Sequence, residues 1–257
     1  VRGRPVFTEA EDDVASLPRG GRFEITDEAG STDRSYLVTN RDGQLVRRYR
    51  VNGDDAPPDQ EALTWRRSLI VAFLRRSGFD AEARAARIQR ARGFEGLVAE
   101  ITAMPSDGGK TRYLEVALRN PAVSASQVGR LLAATEAIDS DGDRASVLGQ
   151  VPARLLVDGS VQAAYLRVVQ GIDSDGDVAS VLTRLFRSGT VDGSNCEWVL
   201  GLVGGIGSDG DRSSVLITAA PTFRDNQPCL ARAIDLTGDI GSDGDKASTL
   251  ISFVSRL

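Results

Sequence analysis

A Ser-Asp-Gly motif that recurs five times at a constant spacing constrains the fold of this chain more than any other feature. It reads Ile-Asp-Ser-Asp-Gly-Asp at 138–143 and 172–177, Ile-Gly-Ser-Asp-Gly-Asp at 206–211 and 240–245, and Met-Pro-Ser-Asp-Gly-Gly in a divergent copy at 104–109. Each copy begins 34 residues after the one before it. A fixed period of this length is typical of proteins built from stacked repeats, each of which is one supersecondary unit.

Each copy is predicted to form two helices. In four copies an aspartate follows the serine by three residues, which resembles a capping box with Asp in place of the usual Glu. We therefore predict helix N-caps at Ser106, Ser140, Ser174, Ser208 and Ser242. A leucine column marks the buried stripe of the first helix: Leu114, Leu148, Leu182, Leu216 and Leu250. The second helix is predicted to begin at Ser124, Asp158, Asp192 and Asp225.

The repeat predicts an α-solenoid, because a single helical hairpin cannot bury its apolar stripe whereas stacked neighbours can. The period is that of tetratricopeptide repeats. The Trp, Gly, Tyr and Pro columns of that family are absent, so the prediction concerns the architecture and not the family. Pro152 and Pro221 fall late in first helices, where proline is expected to kink or end the helix.

The first part of the chain has a different pattern. Alternating apolar residues predict strands over Arg22 to Glu28, Arg34 to Asn40 and Gln44 to Val51, with a hairpin turn at Asp42-Gly43. A helix is predicted over Asp59 to Arg76, and two more over 80–91 and 95–104. The inward side chains of the helix at 59–76 are expected to be Leu63, Leu69, Phe73 and Leu74.

These patterns predict a mainly α fold, an α-solenoid of 34-residue helical hairpins preceded by a small antiparallel β-sheet module. The predicted divisions are a β module with an N-terminal arm at 1–56, a helical connector or cap at 57–104, and the solenoid at 105–257.

Composition excludes several classes of function. The chain has no histidine, which excludes catalytic triads, His-ligated zinc and the HExxH motif. A formal net charge of −5 argues against nucleic-acid binding. The longest apolar run, Ile70 to Leu74, is far short of the roughly 20 residues of a membrane span. We expect no cofactor, no nucleic acid, no span and no catalytic activity.

Alternating carboxylates in two of the motifs offer a candidate calcium site: Asp139, Asp141, Asp143, Asp173, Asp175 and Asp177. An EF-hand, however, requires Gly at its sixth position and Glu at its twelfth, whereas here Gly142 is fourth and Gln150 twelfth. Helix capping explains the recurrent Ser and Asp without metal and is the favoured interpretation. Calcium binding remains the alternative.

Three further features have simple interpretations. Cys196 and Cys229 lie in adjacent second helices, where spacings of roughly 8–10 Å favour free, partly buried thiols over a disulfide. The arginines Arg84, Arg87, Arg90 and Arg92 are expected to form a solvated face. The Gly of each motif costs helix stability and is expected to let a partner or the preceding loop approach closely.

The motif at 240–250, Ile-x-Ser-Asp-Gly-Asp-Lys-Ala-Ser-x-Leu, resembles helical repeats in the extracytoplasmic parts of bacterial BlaR/M56-like membrane proteins. The segment from Phe23 through Val51 is similar to the module that precedes those repeats. The peptidase's zinc motif has no counterpart here, so the resemblance implies interaction or sensing at the periplasmic face and not catalysis. A narrower hypothesis is an extrinsic subunit of a bacterial photosynthetic reaction-centre–light-harvesting assembly.

Three hypotheses of function follow. The favoured one is a non-catalytic, periplasmic or extracytoplasmic scaffold that binds protein subunits of a membrane complex, because solenoids offer extended surfaces. A sheet edge is expected to accept a strand, and a row of acidic first turns at Asp141, Asp175, Asp209 and Asp243 is expected to favour basic or polar partners. The alternatives are a ligand- or calcium-sensing module of a membrane signalling protein and an enzyme that works with carboxylates alone.

Overall fold

The computed structural model describes residues 1–27 and 32–255, and its contacts divide the chain into two compact units. The N-terminal unit is Val1–Ala91 and the C-terminal unit is Arg92–Leu257. The fold is mainly helical, with a small antiparallel sheet in the N-terminal unit. The boundaries predicted at 56 and 104 do not coincide with this division, because the helix that follows the sheet packs into the core of the sheet.

The N-terminal unit contains two antiparallel sheets. The strands are β1 (Val6–Phe7), β2 (Val14–Ser16), β3 (Arg22–Asp27), β4 (Arg34–Arg41), β5 (Gln44–Val51) and β6 (Asp54–Asp55). Strands β1 and β2 pair with each other, and the larger sheet has the order β3-β4-β5-β6. Asp42 and Gly43 both have positive φ, as the tight hairpin turn between β4 and β5 requires. The predicted strand end at Glu28 lies outside the described residues.

Helix α1 (Gln60–Ser77) closes the core of this unit. Asp59 caps its first turn, and Gly78 ends it in the left-handed conformation, with a φ of 60°. Trp65, Ile70 and Leu74 are buried against Phe7, Val14, Leu17, Phe23, Tyr36 and Val38 from the strands and the segments between them. The other three side chains predicted to point inward, Leu63, Leu69 and Phe73, are partly buried.

The rest of the described chain is helical. Helix α2 (Ala81–Thr102) is interrupted at Gly93, whose φ of 68° is non-helical. The helices that follow are α3 (Asp107–Leu118), α4 (Ala125–Thr135), α5 (Asp141–Leu148), α6 (Gly159–Gln170), α7 (Asp175–Arg187), α8 (Cys196–Gly204), α9 (Asp209–Ala219), α10 (Gln227–Gly238) and α11 (Asp243–Val254). Short 3-10 helices at Ala153–Leu155 and Ala220–Phe223 follow α5 and α9.

The first helix of each repeat packs against the first helices of the neighbouring repeats, and the second helices do the same. The first helices α3, α5, α7, α9 and α11 contact one another in that order, as do the second helices α4, α6, α8 and α10. Four members of the leucine column have no solvent exposure: Leu114, Leu148, Leu182 and Leu216. The fifth, Leu250, is 40% exposed. The apolar stripe predicted from the period is therefore covered by the neighbouring helices in all copies but the last.

The second helices begin at the predicted capping residues in two cases and a few residues or one residue later in the other two. Ser124 and Asp158 cap α4 and α6. Helices α8 and α10 instead begin after Asn195 and Asn226, later than the predicted Asp192 and Asp225. Asp192 accepts from the Ser194 amide and hydroxyl and so closes a turn before the helix. Pro152 and Pro221 lie beyond the ends of α5 and α9, next to or within the 3-10 helices.

The two cysteines form a disulfide, so the prediction of free thiols is wrong. The Cα atoms of Cys196 and Cys229 are 6.0 Å apart, within the range that a disulfide spans. The prediction used the spacing between helix axes. Because Cα atoms lie about 2.3 Å from the axis, two residues that face each other are several ångströms closer than the axes. Cys196 begins α8 and Cys229 lies in the first turn of α10, and both face inward.

Candidate functional site

The serine of each motif caps a first helix. The side chains of Ser106, Ser140, Ser174, Ser208 and Ser242 each accept the backbone N–H three residues later, over 3.1 to 3.4 Å. In a capping box, the side chain three residues later also accepts the backbone N–H of the capping residue, and this second bond is different from the prediction. In the four later copies the N–H of the capping serine is not taken by the acid three residues on, because an aspartate of the preceding motif accepts it.

This aspartate forms what we call the aspartate staple, a carboxylate at the first position of one first helix that accepts two successive amides at the next motif. Asp175 accepts from Gly207 at 3.0 Å and from Ser208 at 2.8 Å. Equivalent pairs join Asp107 to Asp139 and Ser140, Asp141 to Asp173 and Ser174, and Asp209 to Gly241 and Ser242. The staple joins successive repeats through charge-assisted hydrogen bonds.

The staple changes the interpretation of the acidic residues. Asp141, Asp175 and Asp209 from the predicted acidic row are engaged between repeats, so the row is not a free edge for basic partners. Asp141 and Asp175 are also the central members of the two candidate calcium triplets. Within residues 1–27 and 32–255, no three His, Cys, Asp or Glu side chains come together as a metal site.

Asp107 shows the electrostatics of the staple. Partial burial opposes ionisation of its carboxyl group, but the amides of Ser140 and Asp139 and the nearby Lys110 ammonium outweigh burial. Together they hold the pKa of Asp107 below its usual range.

A basic side chain completes the polar contacts in three of the repeats. Lys110 donates to the carbonyl of Ala137 at 2.7 Å, and Arg212 donates to the carbonyl of Asp239 at 3.2 Å. Arg144 makes the equivalent bond to Gly171. Each carbonyl follows the end of the second helix in the same repeat, where a cation complements the helix dipole. This role is not among the sequence predictions.

A groove of about 820 Å³ crosses the first helices α5, α7 and α9. Small residues line much of it: Ala145, Gly149, Gly176, Ala179, Ser180 and Ser214. Arg184, Arg187 and Asp211 add charge at its wall. Both arginines are exposed, and neither is in an ion pair with any residue of the described ranges. The groove therefore offers a surface that a backbone can approach closely, with two cations available to a carboxylate.

The glycines of the motif have room around them. A Cβ atom added at Gly108, Gly142, Gly176, Gly210 or Gly244 meets nothing within 4 Å. The expected close approach of the preceding loop is therefore wrong, since that loop leaves open space at each position. Approach by a partner remains a prediction, and Gly176 lines the groove.

The N-terminal unit contains buried charges of a different kind. Arg84 is 2% exposed and makes two bonds to Glu11, from Nε at 2.7 Å and from a terminal nitrogen at 2.9 Å. The prediction that this arginine belongs to a solvated face is wrong, because a partner 73 residues away in sequence encloses it. Arg87, largely buried, lies 3.6 Å from the same carboxylate.

A smaller cavity of about 230 Å³ in the N-terminal unit is lined by Tyr36, Tyr49, Arg47 and Arg66 among others. Its polar groups bind one another. The Tyr36 hydroxyl donates to Asp13 at 2.5 Å, Arg47 donates to the same carboxylate at 2.9 Å, and the Arg66 guanidinium lies 4.9 Å from the centre of the Tyr36 ring. Burial, aided by Asp13, raises the pKa of Tyr36, so the hydroxyl keeps its proton.

Comparisons with protein-family models, with curated proteins and with solved structures give no match. In the described part of the chain, no helix combines the length and the apolar character needed to cross a bilayer.

Proposed function

We propose that the protein is a non-catalytic scaffold, an α-solenoid of helical hairpins that holds a protein partner in the groove across α5, α7 and α9. The observation that carries this proposal is the groove itself, with its small side chains and two exposed arginines that form no ion pair with the described residues. A segment with a carboxylate opposite Arg184 and Arg187 fits this chemistry, because guanidinium groups bind carboxylates in pairs of hydrogen bonds.

The order of the helix contacts supports the solenoid. First helices pack on first helices and second helices on second helices, and the aspartate staple recurs at each step. Stacked repeats of this kind present extended surfaces to partners. The same contacts engage Asp141 and Asp175, which weakens the case for calcium sensing.

The disulfide supports an extracytoplasmic location. Disulfides persist in oxidising compartments such as the periplasm and are rare in the cytosol. Cys196 and Cys229 are bonded to each other. We therefore propose an accessory subunit that binds a membrane complex from the extracytoplasmic side. The photosynthetic assembly named above is a narrower hypothesis and rests on the resemblance alone.

The role of the groove in partner binding is tested by placing a large side chain in it. Ser180 lies exposed in the groove, and Ser126 lies exposed on α4, outside the residues that line the groove. The wild-type chain, Ser180→Arg and Ser126→Arg are each used to capture proteins from gently solubilised membranes, with quantification by mass spectrometry. We expect a partner that wild type and Ser126→Arg retain equally and that Ser180→Arg loses at least about tenfold.

Equal retention by all three chains would contradict the groove as the binding surface. The absence of any retained protein would contradict the scaffold, as would turnover found in a substrate screen of the purified chain. Circular dichroism checks that Ser180→Arg keeps the helical content of the wild type.

A further inference from the structure

The cavity of about 230 Å³ in the N-terminal unit lies between one face of the larger sheet and the first turns of α1. Tyr36 of β4 pairs with Tyr49 of β5, and Arg47 precedes Tyr49 by two residues, so these three side chains share one face of the sheet. Leu63 and Arg66, three positions apart, line the cavity from α1. The volume is below the roughly 300–1,000 Å³ of sites for drug-sized ligands, so the cavity suits a smaller molecule.

Positive charge exceeds negative charge around this cavity. Its lining contains three basic side chains and one acidic side chain: Arg47, Arg48, Arg66 and Asp55. The carboxylate of Asp13 lies behind the lining, 2.9 Å from Arg47 and 3.7 Å from Arg66. Even when Asp13 is counted, one positive charge remains without a counter-ion. A ligand with a single negative charge would balance it, whereas a second negative charge would meet the two carboxylates.

The hydrogen bonding of Arg66 is incomplete. Its Nε is buried and has no hydrogen-bond partner within residues 1–27 and 32–255. The Asp13 carboxylate lies 3.7 Å from a terminal nitrogen of Arg66, which is beyond hydrogen-bond distance. That carboxylate already accepts from the Tyr36 hydroxyl, the Val14 amide and the Arg47 guanidinium. Because a buried donor of a charged group is costly to leave unpaired, Arg66 offers this cavity a donor for a further acceptor.

The remaining walls of the cavity are aromatic and aliphatic. The guanidinium of Arg66 lies 4.9 Å from the centre of the Tyr36 ring, and the rings of Tyr49 and Trp65 have centres 5.7 Å apart. Four apolar residues complete the lining: Ala56, Pro58, Ala62 and Leu63. Aromatic rings attract one another at such distances, so these walls favour a flat ring over a fully polar ligand.

We propose that this cavity binds a small aromatic monocarboxylate, a molecule with one ring and one carboxylate group. Arg66 donates to the carboxylate, because a guanidinium group binds a carboxylate through paired hydrogen bonds. The ring of the ligand packs against Tyr36 and Tyr49. This site goes beyond the scaffold function proposed above, since none of its lining residues belongs to the groove across α5, α7 and α9.

The probes are benzoate, 4-hydroxybenzoate and phenylacetate, each titrated into the full chain by isothermal titration calorimetry at pH 8. Three matched compounds each lack one feature of the proposed ligand. Benzamide has the ring without the charge, acetate has the charge without the ring, and phenyl phosphate carries a second negative charge at this pH. We expect saturable binding of at least one aromatic acid, about tenfold or more tighter than that of each matched compound.

Two pairs of variants locate the binding. Arg66→Lys keeps the charge but removes the planar fork, so it should weaken binding about tenfold or more, whereas Arg67→Lys at the exposed next position of α1 should not. Ala56→Phe fills the cavity from the segment before α1 and should abolish binding, whereas the exposed Ala83→Phe on α2 should not. Urea unfolding followed by Trp65 fluorescence checks that each variant is folded.

Three outcomes would overturn the proposal. The first is that none of the aromatic acids shows saturable binding. The second is that benzamide or phenyl phosphate binds as tightly as the aromatic acids, because a single negative charge would then not be recognised. The third is that folded Ala56→Phe and Ala83→Phe bind the acids equally. Ser180→Arg in the groove should leave this binding unchanged, so the cavity and the scaffold function are tested independently.

Discussion

Each of the two units is stabilised internally by a different kind of contact. The contacts of one unit recur at a fixed sequence separation, and those of the other unit occur once. In the C-terminal unit the same set of contacts recurs between neighbouring repeats, and each staple joins residues 32 or 33 positions apart. In the N-terminal unit the ion pair between Arg84 and Glu11 joins residues 73 positions apart and occurs once. Removing one staple therefore leaves the equivalent staples of the other repeats in place, whereas removing the ion pair eliminates a contact that has no equivalent elsewhere in the unit.

The aromatic side chains show the same contrast. Phe7, Phe23, Phe73 and Phe79 pack as a cluster in the N-terminal unit, with ring centres 5.3 to 6.3 Å apart. In the C-terminal unit, aliphatic columns repeat at the same position of each copy. A unique core depends on the fit of a few large side chains, while a repeated core depends on the fit of each copy to the next.

The largest effect is expected in the N-terminal unit. Arg84→Met leaves the Glu11 carboxylate partly buried, with the Arg87 guanidinium 3.6 Å away, so the free energy of unfolding should fall by about 3 kcal/mol. Trp65 lies in the core of this unit, and its fluorescence in a Trp198→Phe background reports unfolding of the unit alone. The exposed Arg90→Met is the control and should change stability by less than about 0.5 kcal/mol. Equal effects of the two variants would show that the ion pair is not structural.

A smaller effect is expected for one staple of the series. Asp175→Ala removes the acceptor for Gly207 and Ser208, and it should cost about 2 kcal/mol in urea unfolding followed by far-ultraviolet circular dichroism. Asp139→Ala should be close to neutral. If Asp175→Ala also shifts the Trp65 transition by the same amount, the two units are not independent and the comparison fails.

A stabilising change is expected at the glycine of a motif. Gly210→Ala adds a methyl group where nothing lies within 4 Å, and it reduces the freedom of the unfolded chain, so stability should rise by about 0.5 kcal/mol. Gly93→Ala is the opposite control, because a φ of 68° strains any residue with a Cβ. Thermal unfolding of both variants checks the signs, and a destabilised Gly210→Ala would reveal a packing role for the glycine.

The smallest effect is expected from pH. The pKa of Asp107 is lower in the folded chain than in the unfolded chain, so its ionised form stabilises the fold above the ordinary carboxyl pKa. This contribution is lost as the pH falls through the depressed value. The stability difference between wild type and Asp107→Asn should therefore narrow between pH 6 and pH 3, measured by urea unfolding. A difference that stays constant with pH would contradict ionisation of the staple.

The sequence predicts the helices and strands of this molecule well, in the repeats and in β3, β4, β5 and α1 alike, but it does not predict the contacts between residues far apart in the chain. The period predicts the capping serines and the buried leucine column, because every copy has the same residues at the same positions of the helix. The role of Asp107 was missed because its partner lies in the next repeat. A signal was nevertheless present, since the aspartate directly after the serine recurs in all five copies, whereas the first copy has Gly109 in place of the capping-box acid.

The contacts that occur once had no such signal. Nothing in the sequence pairs Glu11 with Arg84, since the contact depends on how the chain returns after five strands and a helix. The groove has the same origin: Ala145, Ala179 and Ser214 lie on three different helices, and only their packing places them on one surface. Local propensity and period do not determine such arrangements.

The disulfide sets how this protein can come apart. In an array of repeats, local opening separates one repeat from its neighbours, because each repeat contacts only the repeats next to it. Cys196 and Cys229 tie α8 to α10, and the covalent loop between them encloses the whole of α9. When the hydrogen bonds of α9 or α10 break, both helices therefore stay tethered to α8. The disulfide therefore limits how far these helices can separate during local opening, and its reduction would remove that limit.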